Sequence, residues 1–499
     1  METVRLNGNR LSTKNEFIQT LTGQDLNSEC NLSGVPFYYE NGIVYTDTTD
    51  AHTLIFGNTG SKKTRNFCIP SVYTLGMAGE SMIISDPKGE IYRNTSGFLA
   101  HKGYTIKTLN LREPEKSSRW NPLMLPYRYY KNGNADKAIE MISDLCAQLK
   151  AQVHSERDLY WENQAADLLM GMILMLFESE DDEKKIHMES IQRMRMYIEI
   201  EDTSETRSSI FWDLIRTFSE NSLVRYKLAS VYTLRNVEKT LNCVVSTFDS
   251  MLRSFIFNEK LMDLINANEI GFGKITEEKT ALYLITPDEK TTYHFLISVF
   301  VKQCYENLID KAKDCRNGIL PIRVNFILDE FSNFPKIADM PAMISAARSR
   351  NIRFVLVVQS KQQLLAEYGD DAETIKSNCK NWVYLSCREL NLLKEIEQLC
   401  GSVEIDEREY PLLTITQLQR LQIGWEDSEA LVLRSGIAPY ISRVKDFSVY
   451  PQVGYDVYNI PLPWHEKVSC FSVLKCVHDK LTKELEETKD TPTIEDLFN

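Results

Sequence analysis

The sequence predicts an α/β fold with a mostly parallel central sheet, interrupted by an all-helical insertion, on three observations. Short apolar runs of strand length recur and close on polar turns at Gly57, Asp86, Pro287, Asp329 and Gln359. Helical text separates most of them, as parallel strands require. Between about 137 and 234 that rhythm stops, and apolar residues recur at three- and four-residue spacing instead.

In order along the chain, residues 1–50 read as a polar lead-in with a hairpin turning at Glu40-Asn41-Gly42. An apolar strand at 53–56 feeds a loop, and a helix starts near Lys63 and ends by 76. Strand 81–85 closes on Asp86-Pro87-Lys88-Gly89-Glu90, and 105–109 is the next strand. Beyond Trp120-Asn121-Pro122-Leu123, helices are expected over 138–150, 159–178, 186–198 and 211–229, then 237–255. Strands return at 280–286, 323–328, 354–358, 382–385 and 430–434, with a helix at 291–313. The stretch 481–498 reads as an acidic, loosely held tail. The chain therefore divides into a lead-in (1–50), an α/β domain in two parts (51–125 and 236–445), the insertion (126–235) and a C-terminal extension (446–499).

A length of 499 residues allows two or three domains with sizeable cores. The net charge of −13 argues against a generally basic surface, though a local basic channel within an assembly remains compatible with it. Eleven cysteines form no C-x-x-C pair, so they read as reduced thiols of a cytosolic protein, with Cys68, Cys243, Cys304 and Cys387 as small buried hydrophobes. Seven histidines show no ligand spacing for a transition metal. The longest apolar run, 168–177, falls well short of the roughly 18 residues a membrane span needs and reads as a buried helix face.

The chemistry concentrates at Gly57-Asn58-Thr59-Gly60-Ser61-Lys62-Lys63-Thr64, a strand-to-helix loop close to the Walker A pattern G-x-x-x-x-G-K-[ST]. Such a loop turns backbone amides inward, with a helix N-terminus behind them, to hold a triphosphate. Lys63 would reach the β- and γ-phosphates, Thr64 would place its hydroxyl on Mg²⁺, and Arg65 follows at the helix start. Lys62 stands where the pattern has glycine; helical dihedrals at 62 would let its stem point outward at little cost. The apolar strand ending in Asp329-Glu330 is a Walker B arrangement, with Asp329 in the Mg²⁺ shell and Glu330 as general base. Gln359 closes the next strand and could bond the γ-phosphate or the attacking water. Asp86 either joins the Mg²⁺ shell or serves a turn and helix start, and Lys88 faces phosphate or a neighbour. Arg348, Arg350 and Arg353 precede or open the 354–358 strand; Arg348 or Arg350 could cross a subunit boundary as an arginine finger, or each is simply a surface charge.

Together, 57–65, Ile84-Ser85-Asp86-Pro87-Lys88-Gly89-Glu90, Trp120-Asn121-Pro122-Leu123, Leu328-Asp329-Glu330-Phe331-Ser332-Asn333 and Arg348-Ser349-Arg350-Asn351-Ile352-Arg353 resemble the TraG/TraD-like type IV secretion coupling proteins. Five separated segments match in the family's order over roughly 50–440. The resemblance implies a RecA/FtsK-like P-loop NTPase core, ATP and Mg²⁺ as cofactors, and a homo-oligomeric, hexameric ring. It also implies single-stranded DNA and relaxase or relaxosome proteins as partners, received by the inserted domain, and delivery to a membrane channel. Many members carry N-terminal membrane helices that this sequence lacks. A removed anchor, a separate anchor subunit or a cytosolic variant would each account for that, and the expected place is the cytoplasm, peripheral to the membrane on assembly. Two rival functions follow from the same residues: an adaptor that binds nucleotide but hydrolyses it weakly, and a soluble DNA motor outside conjugation.

Overall fold

The structure is a computed structural model describing residues 7–153, 159–198, 209–256, 258–287, 289–405, 407–451, 454–461 and 468–489. The chain forms two compact units. One comprises residues up to 118 together with 271–462, and the other comprises 119–270 with the segment from 463 onward.

The first unit is built on a nine-stranded sheet. Its strands in chain order are Thr53–Phe56 (β1), Ser81–Asp86 (β2), Thr105–Asn110 (β3), Thr280–Ile285 (β4) and Val324–Leu328 (β5). They continue with Ile352–Val358 (β6), Asn381–Tyr384 (β7), Asp427–Arg434 (β8) and Ile437–Lys445 (β9). The spatial order is β9-β8-β7-β1-β6-β5-β2-β4-β3. From β7 to β3 every neighbour is parallel; β8 and β9 add an antiparallel edge. Every residue of β1, β2, β4, β5 and β6 is buried, which is why they read as continuous apolar runs rather than alternating ones. A small antiparallel sheet of Thr22–Asp25, Ile43–Thr46 and Pro36–Glu40 adds Phe37 and Val44 to the same core as Ile55 and Val357.

This layout fixes the ligand edge. The parallel strands all point their carboxyl ends one way, and the order changes direction around β1, where an open α/β sheet forms a crevice. Gly57, Asp86, Asp329 and Gln359 each follow or close a strand at that edge.

The second unit is helical. Leu159–Ser179 carries the 168–177 run, buried on all sides, among Ala135–Ala151, Leu223–Thr233 and Glu238–Met251. Residues 236–270, read from sequence as part of the α/β domain, pack here. The helix expected over 211–229 is two, Ile210–Arg216 and Leu223–Thr233, because Ser222 caps the second by accepting from the Val224 amide. Cys243 is exposed rather than buried, since Leu241, Val244, Val245 and Phe248 define the inward face of its helix. The stretch read as a loose tail from 481 is helical up to residue 489 within Val473–Lys489; 490–499 lie outside the described residues. No helix among the described residues is long and apolar enough to cross a membrane.

Candidate functional site

The phosphate loop leaves β1 and turns into a helix that opens as a wide π turn, Thr64–Cys68, before the α-helix Ile69–Ala78. The loop is tight: a Cβ on Gly57 would lie 2.4 Å from Ser61 Oγ, so a side chain there would displace the turn. Gly60 has φ +83°, open to glycine at no steric cost. Ser61 Oγ is buried and has no protein partner, which leaves a free polar atom inside the loop.

Lys63 is buried, and its Nζ donates to the Gly57 carbonyl at 2.5 Å and the Asn58 carbonyl at 3.0 Å. Burial pulls its pKa below the ordinary lysine value, and the Asp329 charge opposes that shift. Thr64 Oγ1 donates to Asp329 Oδ2 at 2.7 Å, so the loop and the end of β5 meet in one cleft. Burial raises the Asp329 pKa to about 6; the Thr64 bond counters it and the Glu330 charge adds to it. Asp86, at the end of neighbouring β2, is raised further, to about 7, chiefly by burial. Two buried carboxylates that resist ionisation in one cleft are a donor set that a divalent cation would return to the charged form. Asp86 also accepts from the Tyr92 amide at 2.8 Å, which ties it to the first turn of helix Glu90–His101.

Beyond Asp329 the backbone turns sharply, with Glu330 at φ +55°. Its carboxylate accepts from Asn333 Nδ2 at 2.9 Å and from Gln359 Nε2 at 3.3 Å. Gln359 Oε1 in turn accepts from Thr59 Oγ1 at 3.3 Å. One amide thus connects the phosphate loop to the Glu330 carboxylate. Asn333 belongs to this chain of bonds, and only its three-residue spacing from Glu330 hinted at it.

Lys62 does not have the helical dihedrals that would make it inexpensive. Its φ is +61°, in the left-handed region that favours glycine. What holds it there is its side chain: Nζ donates to the carbonyls of Gly424 at 2.9 Å and Trp425 at 3.0 Å, lies 5.2 Å from the Trp425 ring centroid, and stands 4.0 Å from Asp446 Oδ2. Arg65 leans the same way, bidentate to Asp446 at 2.7 and 2.8 Å and stacked over Phe447. Lys62 and Arg65 therefore face the C-terminal hairpin, while Lys63 and Thr64 face the cleft.

The three arginines are not brought to this cleft by their own chain. They sit at the amino end of β6, whereas Gln359 follows its carboxyl end, about 20 Å away along the strand. Arg348 pairs with Asp50 at 2.9 Å, and Arg350 donates to the Ala346 carbonyl. Arg353 is buried and bonded to Asn325, Glu80 and the carbonyls of Ser33, Asp47 and Thr49, a hub of the fold. Lys88 is exposed on its turn, its carbonyl accepting from Arg93.

Comparison with solved structures gives the same architecture. The bacterial conjugative coupling protein TrwBdeltaN70 aligns at 15% identity and TM-score 0.57, over 89% of this chain and 94% of that one. The plasmid coupling protein TrwB with the non-hydrolysable GTP analogue GDPNP aligns at 16% and 0.57, over 91% and 96%. TrwB with ADP and Mg²⁺ aligns at 16% and 0.54, over 89% and 94%. A search of curated proteins found no match. The family model for type IV secretory system conjugative DNA transfer matches residues 5–411, and this chain belongs to that family.

Proposed function

We propose that the chain is an oligomeric, Mg²⁺-dependent ATPase that passes conjugative DNA substrates to a type IV secretion channel. The observation that carries the reading is the meeting of Lys63, Thr64, Asp329, Glu330 and Gln359 at one sheet edge, joined by the 2.7 Å Thr64–Asp329 bond. The solved TrwB complexes with an ATP analogue and with ADP and Mg²⁺ support it by likeness of fold.

The loop from Gly57 to Arg65 would cradle the phosphates, with Lys63 released from the Gly57 and Asn58 carbonyls toward the β- and γ-oxygens. Mg²⁺, held by Thr64 and Asp329 with Asp86 nearby, would neutralise charge developing on the phosphates. Glu330 would take the proton of the attacking water, and Gln359 would sense the γ-phosphate through Thr59. Glu330 is occupied by Gln359 and Asn333 in this arrangement, so basal turnover is slow until DNA or a neighbouring copy rearranges it. Arg348 or Arg350 can serve catalysis only from a neighbouring copy, which ties activity to ring assembly, with six copies the expected number. The helical unit would receive the relaxase and single-stranded DNA, and contact with a channel or a separate anchor subunit would hold the ring at the membrane. Cationic loops gripping phosphate without reading bases suit arbitrary DNA cargo.

The test is phosphate release with and without single-stranded DNA, in the parent, Lys63→Ala and Glu330→Gln. Turnover is expected to rise with DNA in the parent and to drop at least 100-fold in both variants. Turnover equal in all three proteins would refute the catalytic assignment.

A further inference from the structure

We propose that Trp425 is the platform on which the base of the bound nucleotide stacks, and that Lys62 holds it in place. The inference rests on the triphosphate reading of the loop and adds to it the end of the ligand that the phosphate residues do not touch.

A nucleoside triphosphate is a linear ligand, so fixing one end of it fixes the direction of the other. Glu330 and Gln359 mark the γ end, on the β5–β6 side of β1. Lys63 and Thr64 mark the middle. The ribose and base must then leave past the first helical turn on the opposite side, toward β7, β8 and β9. On that side the structure places Lys62, Arg65, Gly424, Trp425, Asp446 and Phe447.

Among these, only one aromatic face is open. Phe447 is buried and covered by the Arg65 guanidinium 4.4 Å from its centroid. Trp425 is 84% exposed, the most exposed large hydrophobic side chain among the described residues. Leaving so large a ring in water gains nothing for the subunit itself. A flat apolar face beside a phosphate loop is what base stacking uses, and it is indifferent to which base arrives. Lys62 supports the ring from the loop side, through two bonds to the 424–425 carbonyls and a cation lying over the indole. A glycine at 62 would relieve the left-handed backbone but leave the tryptophan unsupported. The platform explains why a lysine stands at a position whose backbone favours glycine.

The experiment is isothermal titration of the purified full chain, in Mg²⁺, with ADP, GDP and inorganic tripolyphosphate. Because Trp425 is exposed, Trp425→Ala does not threaten the fold. We expect it to weaken ADP and GDP alike by about tenfold or more and to leave tripolyphosphate unchanged. Trp425→Phe should restore most of the lost affinity. Unchanged ADP binding by Trp425→Ala would overturn the platform while the loop reading stands. An equal loss for tripolyphosphate would also overturn it, by showing that the ring acts on the loop rather than on a base. A parent protein that binds neither ADP nor tripolyphosphate would overturn the loop reading and the platform together.

Discussion

Single residues here are often fixed by bonds that no local pattern announces. His52 immediately precedes β1: Nδ1 accepts from the Phe354 amide at 3.0 Å, and Nε2 therefore donates to the Ile344 carbonyl at 2.8 Å. Burial pulls its pKa down to about 4, against about 6.5 in an unfolded chain, and the charges of Arg348 and Arg353 push the same way. The neutral ring is the folded form, so between those two values the unfolded state binds the extra proton. Stability from this group is complete above about pH 6.5 and is lost as pH falls toward 4, by up to about 3 kcal/mol. Urea denaturation at pH 7, 5.5 and 4.5 should show that decline in the parent and a shallower one in His52→Asn. Lys62 illustrates the same point: its backbone angle is set by carbonyls 362 and 363 positions away. A glycine-shaped backbone under a lysine cannot be read from neighbours in the sequence.

At the scale of elements, Gln359, just past the end of β6, links two others. Its amide joins Thr59 on the loop to Glu330 after β5. Gln359→Ala should therefore lower kcat by about tenfold or more while leaving the Kd for ADP within about threefold. Steady-state kinetics beside a binding titration separates the two, since an interaction used only during turnover moves kcat alone. Elements buried on both faces were legible because burial leaves a continuous apolar signature; Ile83-Ile84 in β2 and Phe326-Ile327-Leu328 in β5 are examples. Their polar punctuation located Asp86 and Asp329 as well. The hairpin partner β9 was not legible: Pro439 and the polar residues Tyr440, Ser442 and Arg443 break any apolar run, as an edge strand permits. Nor was the break at 217–222, where Thr217 closes one helix and Ser222 caps the start of the next. The arginine run 348–353 reads as one cluster in sequence, yet β6 carries its members to the edge remote from the cleft, with Arg353 consumed by the core.

At the scale of the whole molecule, the helical unit is assembled from two distant stretches. Phe471 and Val473 are buried in it, the Phe471 amide donates to Ser190 Oγ at 3.0 Å, and Val473–Lys489 packs on Ile210–Arg216. Burial of those two side chains contributes about 3–6 kcal/mol. Deleting 463–499 should speed hydrogen exchange across 119–270 while ADP affinity stays within about twofold; unchanged exchange would show the segment to be dispensable. The α/β unit is equally discontinuous, since the Thr64–Asp329 bond joins residues 265 positions apart. A ribosome adding about 5–20 residues per second needs roughly 13–50 s to make the second partner after the first. For most of that interval, until β4 is made, the nascent chain exposes β1 and β2 as unpaired apolar strands while an entire helical segment emerges between them and β5. Production of this protein in a cell should thus lean on chaperones that shield growing polypeptides, and slow-translating hosts should lose more of it to aggregation.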